Sequence, residues 1–171
     1  MKSNDEKSGY DASLIISDAH FEAWGRIIYF YAALETRLKI AIAALADITI
    51  LDAVILTEPY SAMALRNVAT SLTKKRNLPA ADAERLLNII DEHQNYSKLR
   101  NAIAHDWWTT GDRPASLRPA HLTIHGGKAR GTGYGEGEPD FILEDFGRAA
   151  DELLSAGERL RAFVIERGVQ E

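Results

Sequence analysis

From Asp18 to Leu45 the chain contains no proline and repeats large apolar side chains at steps of three and four, through Phe21, Trp24, Ile28, Tyr31, Leu38, Ile42 and Leu45. Such spacing keeps one apolar stripe on one face of an α-helix, which starts at Ser13 or Asp18 and ends near Leu45. A helix this long and one-sided must bury its stripe against other helices, which narrows the fold to a helical bundle.

The rest of the chain supplies the partners. Thr57-Glu58-Pro59 reads as a capped start for a second helix through Met63, Val68 and Leu72, closed by Lys74-Lys75-Arg76 where cations suit the helix dipole. A third helix starts near Pro79, carries Leu86, Ile89, Tyr96, Leu99 and Ile103 inward, and ends around Trp107 or Trp108. The fourth starts near Glu144, repeats Phe146, Ala150, Leu153, Leu160 and Val164, and stops at Gly168. The apolar stretch Asp47 to Leu56 fits a strand, a turn of helix or a continuation. Between Thr109 and Phe141 stand seven of the twelve glycines and three of the five prolines, a density that predicts a long loop with one short strand, His121 to His125. The expected fold is therefore all-α: an up-down four-helix bundle with a glycine-rich loop between the third and fourth helices. Residues 1–12 read as a flexible tail and 13–171 as a single helical domain, since 171 residues make one domain of ordinary size.

With no cysteine, thiol nucleophiles, iron–sulfur clusters and Cys-based zinc sites are excluded, and the chain suits a reducing cytoplasm. The N-terminus lacks a basic start followed by an apolar run, and no uncharged stretch reaches about 18 residues, so neither export nor membrane insertion is expected. A net charge of −5 argues against non-specific coating of nucleic acid. Locally the balance reverses: between His93 and Arg130 stand six basic residues (Lys98, Arg100, Arg113, Arg118, Lys128, Arg130) against Asp106 and Asp112, with four of the five histidines. If the chain handles a polyanion, this segment is the place.

Other motifs lack their context. Gly131-Thr-Gly-Tyr-Gly-Glu-Gly has neither a buried strand before it nor a helix N-terminus directly after it, and Gly126-Gly127-Lys128 is not a Walker loop. On a strand His121 and His125 would stand about 13 Å apart, too far to share a metal. No metal and no cofactor is expected. Lys98-Leu-Arg-Asn-Ala-Ile-Ala-His-Asp-Trp-Trp is the informative stretch. An arginine can clamp a phosphate through two parallel hydrogen bonds, and a histidine of ordinary pKa near 6.5 can move protons at neutral pH. At about 100° per residue, Arg100 and His105 lie about 140° apart on their helix, whereas Asn101 and His105 differ by only about 40°. Arg100 falls in the inner stripe, Asn101 and His105 on the other side. A second antiparallel copy across a two-fold axis would gather both sets into one groove.

Arg100-Asn101-Ala102-Ile103-Ala104-His105 resembles the R-N-x-x-x-H signature of HEPN domains, helical bundles found in many RNases. The likeness extends to the setting, with the motif late in the third long helix, a long first helix before it and an amphipathic helix after it. It implies a homodimer with the motifs at its interface and, in active members, a metal-independent endoribonuclease leaving a 2′,3′-cyclic phosphate, often the toxin or defence effector beside an antitoxin protein. Carried over, Arg100 would bind the phosphate, His105 would move the proton, and Asn101 would orient one of them. Lys98, Trp107 and Trp108 are candidate RNA contacts. Glu35, a carboxylate inside the first apolar stripe, needs a partner, since an unpaired buried charge is costly. Arg100 is one candidate; a tyrosine hydroxyl or water at the stripe's edge is the other. The competing function is a non-catalytic HEPN-like dimer that binds a protein or a nucleotide.

Overall fold

The computed structural model describes residues 16–125, 128–132 and 139–167. The tail at 1–12, the run Gly133 to Gly137 and the stop at Gly168 lie outside the described residues. The chain is mostly helical, with α1 (Asp18–Ala46), α2 (Ile50–Thr57), α3 (Ala62–Lys75), α4 (Ala80–His105) and α5 (Leu143–Ile165). Among the described residues five helices thus replace the four expected. The undecided stretch after the first helix is α2, opened by Thr49, whose hydroxyl accepts from the Asp52 amide. Asp47, in the left-handed region at φ 62°, ends α1, and the axis then turns by 116° into α2. Thr57 does not start the next helix. It is buried at the end of α2, its hydroxyl donating to the Ala53 carbonyl, and Ser61 caps α3 instead. Among the described residues no single helix is long and apolar enough to cross a membrane.

α1 packs mainly on α5, and α4 touches both. Ile27, Leu34 and Leu38 of α1, Leu86, Ile89 and Ile90 of α4, and Phe146, Leu153, Leu160 and Phe163 of α5 are the almost fully covered centre of the core. The α5 stripe is the one expected from sequence. In α1 the covered face is turned by a residue at its start: Ile27 is buried, while Phe21 is 60% exposed. In α3, Leu65, Ala69 and Thr73 face inward and Met63 outward.

The long loop predicted after the third long helix is a correction to the all-α reading. A three-stranded antiparallel sheet stands there, β1 (Trp107–Thr110), β2 (Leu117–His125) and β3 (Lys128–Thr132), in the order β1-β2-β3. Trp107 opposes Ala120 in one register, and His121 opposes Thr132 in the other. The expected strand at His121 to His125 is the second half of β2. Backbone pairing of Leu117 with Phe141 ties the sheet to the start of α5. Composition overstated the loop because threonine and alternating apolar residues line the pairing stretches, while many of the breakers lie between or beyond them.

An ion network pins this corner. Asp140 accepts from Arg118 Nε at 2.7 Å, from the Asp112 amide at 2.6 Å and from the Arg113 amide at 3.1 Å. Arg113 reaches on to Asp145 at 3.2 Å, and Asp145 also accepts from the Ile142 amide at the start of α5. Burial pushes the Asp140 carboxyl up, but the Arg118 guanidinium and the two backbone amides together hold it below its ordinary pKa. Gly111 lies against the cluster, where a Cβ would stand 2.6 Å from the Asp140 carboxyl group. Two of the six cations in the basic segment are therefore structural.

Candidate functional site

α4 has a polar face as well as an apolar one. Gln94, Ser97 and Asn101 recur at steps of three and four, and Arg100 lies beside them. With Tyr31 and Glu35 of α1 and Tyr60, Ser61 and Met63 at the α2–α3 corner, they line a cleft of about 360 Å³. Arg100 and Asn101 are brought together there, Arg100 Nη1 donating to Asn101 Oδ1 at 3.0 Å. Sequence geometry put Arg100 inside and Asn101 outside; the cleft reaches round the helix edge and takes both.

Arg100 is half-buried, with its guanidinium carbon 5.7 Å from the centre of the Tyr31 ring. Its Nε is buried with no hydrogen-bond partner. At least nine arginines among the described residues end on carboxylates. Arg100 instead meets an amide and a ring, with no salt bridge among the described residues.

Glu35 lines the same cleft but is not the partner of Arg100. Its Oε1 pairs with Lys39 one turn along α1 at 3.3 Å, and Lys39 bridges on to Glu58 at 3.2 Å. The i,i+4 neighbour wins because it is already on the same helix face, so little ordering is needed to close the pair. Burial disfavours the Lys39 ammonium, yet hydrogen bonds to Glu58 and Glu35 leave its pKa raised. Tyr31, in the same cleft, has its hydroxyl pushed up to about 12, first by burial and then by Glu35, with Arg100 opposing.

His105 is the last residue of α4 and is exposed. It does not line the cleft, so one protomer unites Arg100 with Asn101 and leaves His105 apart. Lys98 is exposed, as is Trp107 at 72%. Trp108 is a correction: it is 5% exposed, its ring 5.2 Å from Trp24 and 5.5 Å from Phe146, and is a core side chain unavailable to RNA. Strand alternation explains the split between the two tryptophans. His93, counted in the basic segment, is also core. It is fully covered, stacks on Tyr31 at 4.2 Å, makes no hydrogen bond, and has its pKa driven by burial down to about 4.

Tyr31, Tyr60, Gln94 and Ser97 were missed as site residues by the sequence reading. For the α4 pair the signal was present: polar side chains at 94, 97 and 101 repeat at helical spacing on the side that carries the motif. Tyr31 sits in an apolar stripe, and nothing local marks Tyr60. Among the described residues no cluster of His, Asp and Glu could hold a metal ion. The chain matches no protein-family model, no curated protein and no solved structure.

Proposed function

We propose that the chain is a HEPN-like, metal-independent endoribonuclease that works as a homodimer, in the role of a toxin or defence effector. The observation that carries this reading is the half-buried Arg100 lining a cleft without a salt bridge of its own among the described residues, the cleft's one carboxylate, Glu35, being paired with Lys39, and braced by Asn101 in the R-N-x-x-x-H motif. A cation left unpaired in a bundle that pairs most of its arginines is suited to an anion from outside. In the reaction a ribose 2′-hydroxyl attacks the neighbouring phosphorus and the 5′-oxygen leaves, giving a 2′,3′-cyclic phosphate. Arg100 neutralises charge building on the phosphoryl oxygens, Asn101 holds Arg100 in place, and His105 transfers the proton. His105 comes from the second copy, since within one protomer it lies outside the cleft. Lys98 and Trp107 are exposed near the motif and suited to touch the RNA chain.

The test is cleavage of mixed RNA by the purified protein in excess EDTA. Cleavage is expected to persist, and His105→Ala to lower the rate by about 10²–10⁴ without changing the melting curve, because His105 is exposed. Light scattering should give about twice 18.9 kDa. Wild-type protein that leaves all RNA intact, joined to a His105→Ala variant that falls into monomers, would favour the second reading, a non-catalytic dimer that binds a nucleotide or protein. The separation of His105 from the cleft is the observation on that side.

A further inference from the structure

The cleft holds more chemistry than a phosphate clamp uses. Glu35 lines it with a 35% exposed side chain, and its contact with Lys39 runs through Oε1, so the carboxylate keeps lone pairs for a further donor. Tyr60 is 40% exposed at the rim, and Gln94 and Ser97 supply further hydrogen-bonding groups along the wall. Arg100 lies over the Tyr31 ring with its guanidinium carbon 5.7 Å from the centre, and Glu35 lines the same cleft, so one acceptor and one cation share it. The volume of about 360 Å³ falls within the roughly 300–1,000 Å³ of small-molecule sites.

We infer that this cleft is a nucleotide subsite that selects guanine, with the phosphate at Arg100, the Watson–Crick edge of the base at Glu35 and its face on Tyr60. The inference rests on the ribonuclease reading only in taking the nucleotide to be part of an RNA chain. Single-stranded RNA is read by stacking on aromatic rings and by hydrogen bonds to base edges. An ionised carboxylate only accepts, and guanine alone presents two adjacent donors, N1–H and the 2-amino group. Adenine and cytosine present one amino group beside a ring acceptor, and uracil a lone N–H between two carbonyls. Each of these turns a lone pair toward Glu35, which rejects them as well as failing to reward them. Lys39, itself held by Glu58, keeps the carboxylate in place.

The experiment is calorimetric titration of the full chain with guanosine, inosine, adenosine and cytidine 3′-monophosphates and with inorganic phosphate. Guanosine monophosphate should bind at least about tenfold tighter than the adenosine and cytidine forms, with inosine monophosphate, which lacks the 2-amino group, between them. Glu35→Gln should flatten that ranking, Arg100→Ala should weaken every nucleotide and phosphate, and Tyr60→Ala, at an exposed turn, should weaken all nucleotides alike by about fivefold or more. Should Glu35→Gln not fold, the guanosine-to-inosine ratio and Tyr60→Ala decide. A guanosine monophosphate affinity no better than that of phosphate, or a guanine preference that survives Glu35→Gln, would overturn the inference. Protein that ranks the nucleotides as expected but leaves RNA whole would end the ribonuclease reading and keep the subsite. Protein that cuts RNA yet ignores all four nucleotides would do the reverse.

Discussion

Arg100 and Arg118 belong to the same basic stretch of sequence and do opposite work. The Arg118 side chain is 11% exposed and ends on Asp140 and Asp112, whose hydrogen bonds raise its pKa further against the opposing effect of burial. Its charge is spent on closing the sheet against the start of α5. Arg100, on a polar helix face at the edge of the bundle, meets an amide and a ring and has no salt bridge among the described residues. A local excess of cations is thus a poor guide to a binding surface until the counter-charges have been placed. Asp140 and Asp145 lie beyond the stretch in sequence and pair with it in space.

The strongest way to break the contrast is at Asp140. Asp140→Ala leaves Arg118 with the exposed Asp112 and strips the Asp112 and Arg113 amides of their acceptor. The expected cost is about 3 kcal/mol, the low end of the range for breaking a buried pair. It should appear as a fall in denaturant midpoint with little change in nucleotide binding. Asp140→Asn, which keeps an oxygen for the amides, should cost less. An unchanged midpoint for Asp140→Ala would mean that the network is incidental and that Arg118 is as available as Arg100.

Next in size is a pH effect centred on the Arg100 side. His93 is neutral and covered behind Tyr31, its pKa lowered from 6.5 to about 4 by burial. The unfolded chain therefore takes up a proton on this residue before the folded chain does. Stability from keeping it neutral is complete above about pH 6.5 and is lost as the pH falls toward 4, at about 1.4 kcal/mol per unit. Between pH 7 and pH 5 the loss is about 2 kcal/mol, with His20, also lowered by burial, adding in the same direction. Melts of wild type and His93→Phe across that range measure it, and His93→Phe should lose most of the slope. Equal slopes would place the titrating group elsewhere.

How much of this was legible in the sequence differs by level. The long helices were, because a stripe repeated over several turns outvotes single errors; in α5 every expected stripe residue is buried, with Phe163 added, and α1 differs at its start, where Phe21 mimics a stripe position, and at Leu34, which the stripe passed over. The sheet was not, because glycine and proline density speaks for turns and is silent about the strands between them. Helix geometry set Arg100 and Asn101 on different sides although one cleft takes both, and Glu35 was drawn toward Arg100 when Lys39, four residues on, was the nearer solution. Trp107 and Trp108 were indistinguishable until the strand's alternation sent one to solvent and one into the core.

The smallest effect sharpens the contrast most. Arg100→Ala removes a cation–π contact with Tyr31, worth about 0.5–1 kcal/mol at a partly exposed site, and one hydrogen bond to an exposed amide. It also removes the buried Nε that has no partner, which offsets part of that loss. The net change in stability should stay within about 1 kcal/mol, against about 3 at Asp140, while binding of phosphate and nucleotides falls away. A side chain whose loss hardly moves the melting temperature but abolishes ligand is held for the ligand. If Arg100→Ala instead unfolds the protein as readily as Asp140→Ala, the guanidinium is a structural member of the α1–α4 seam, and the cleft loses its cation.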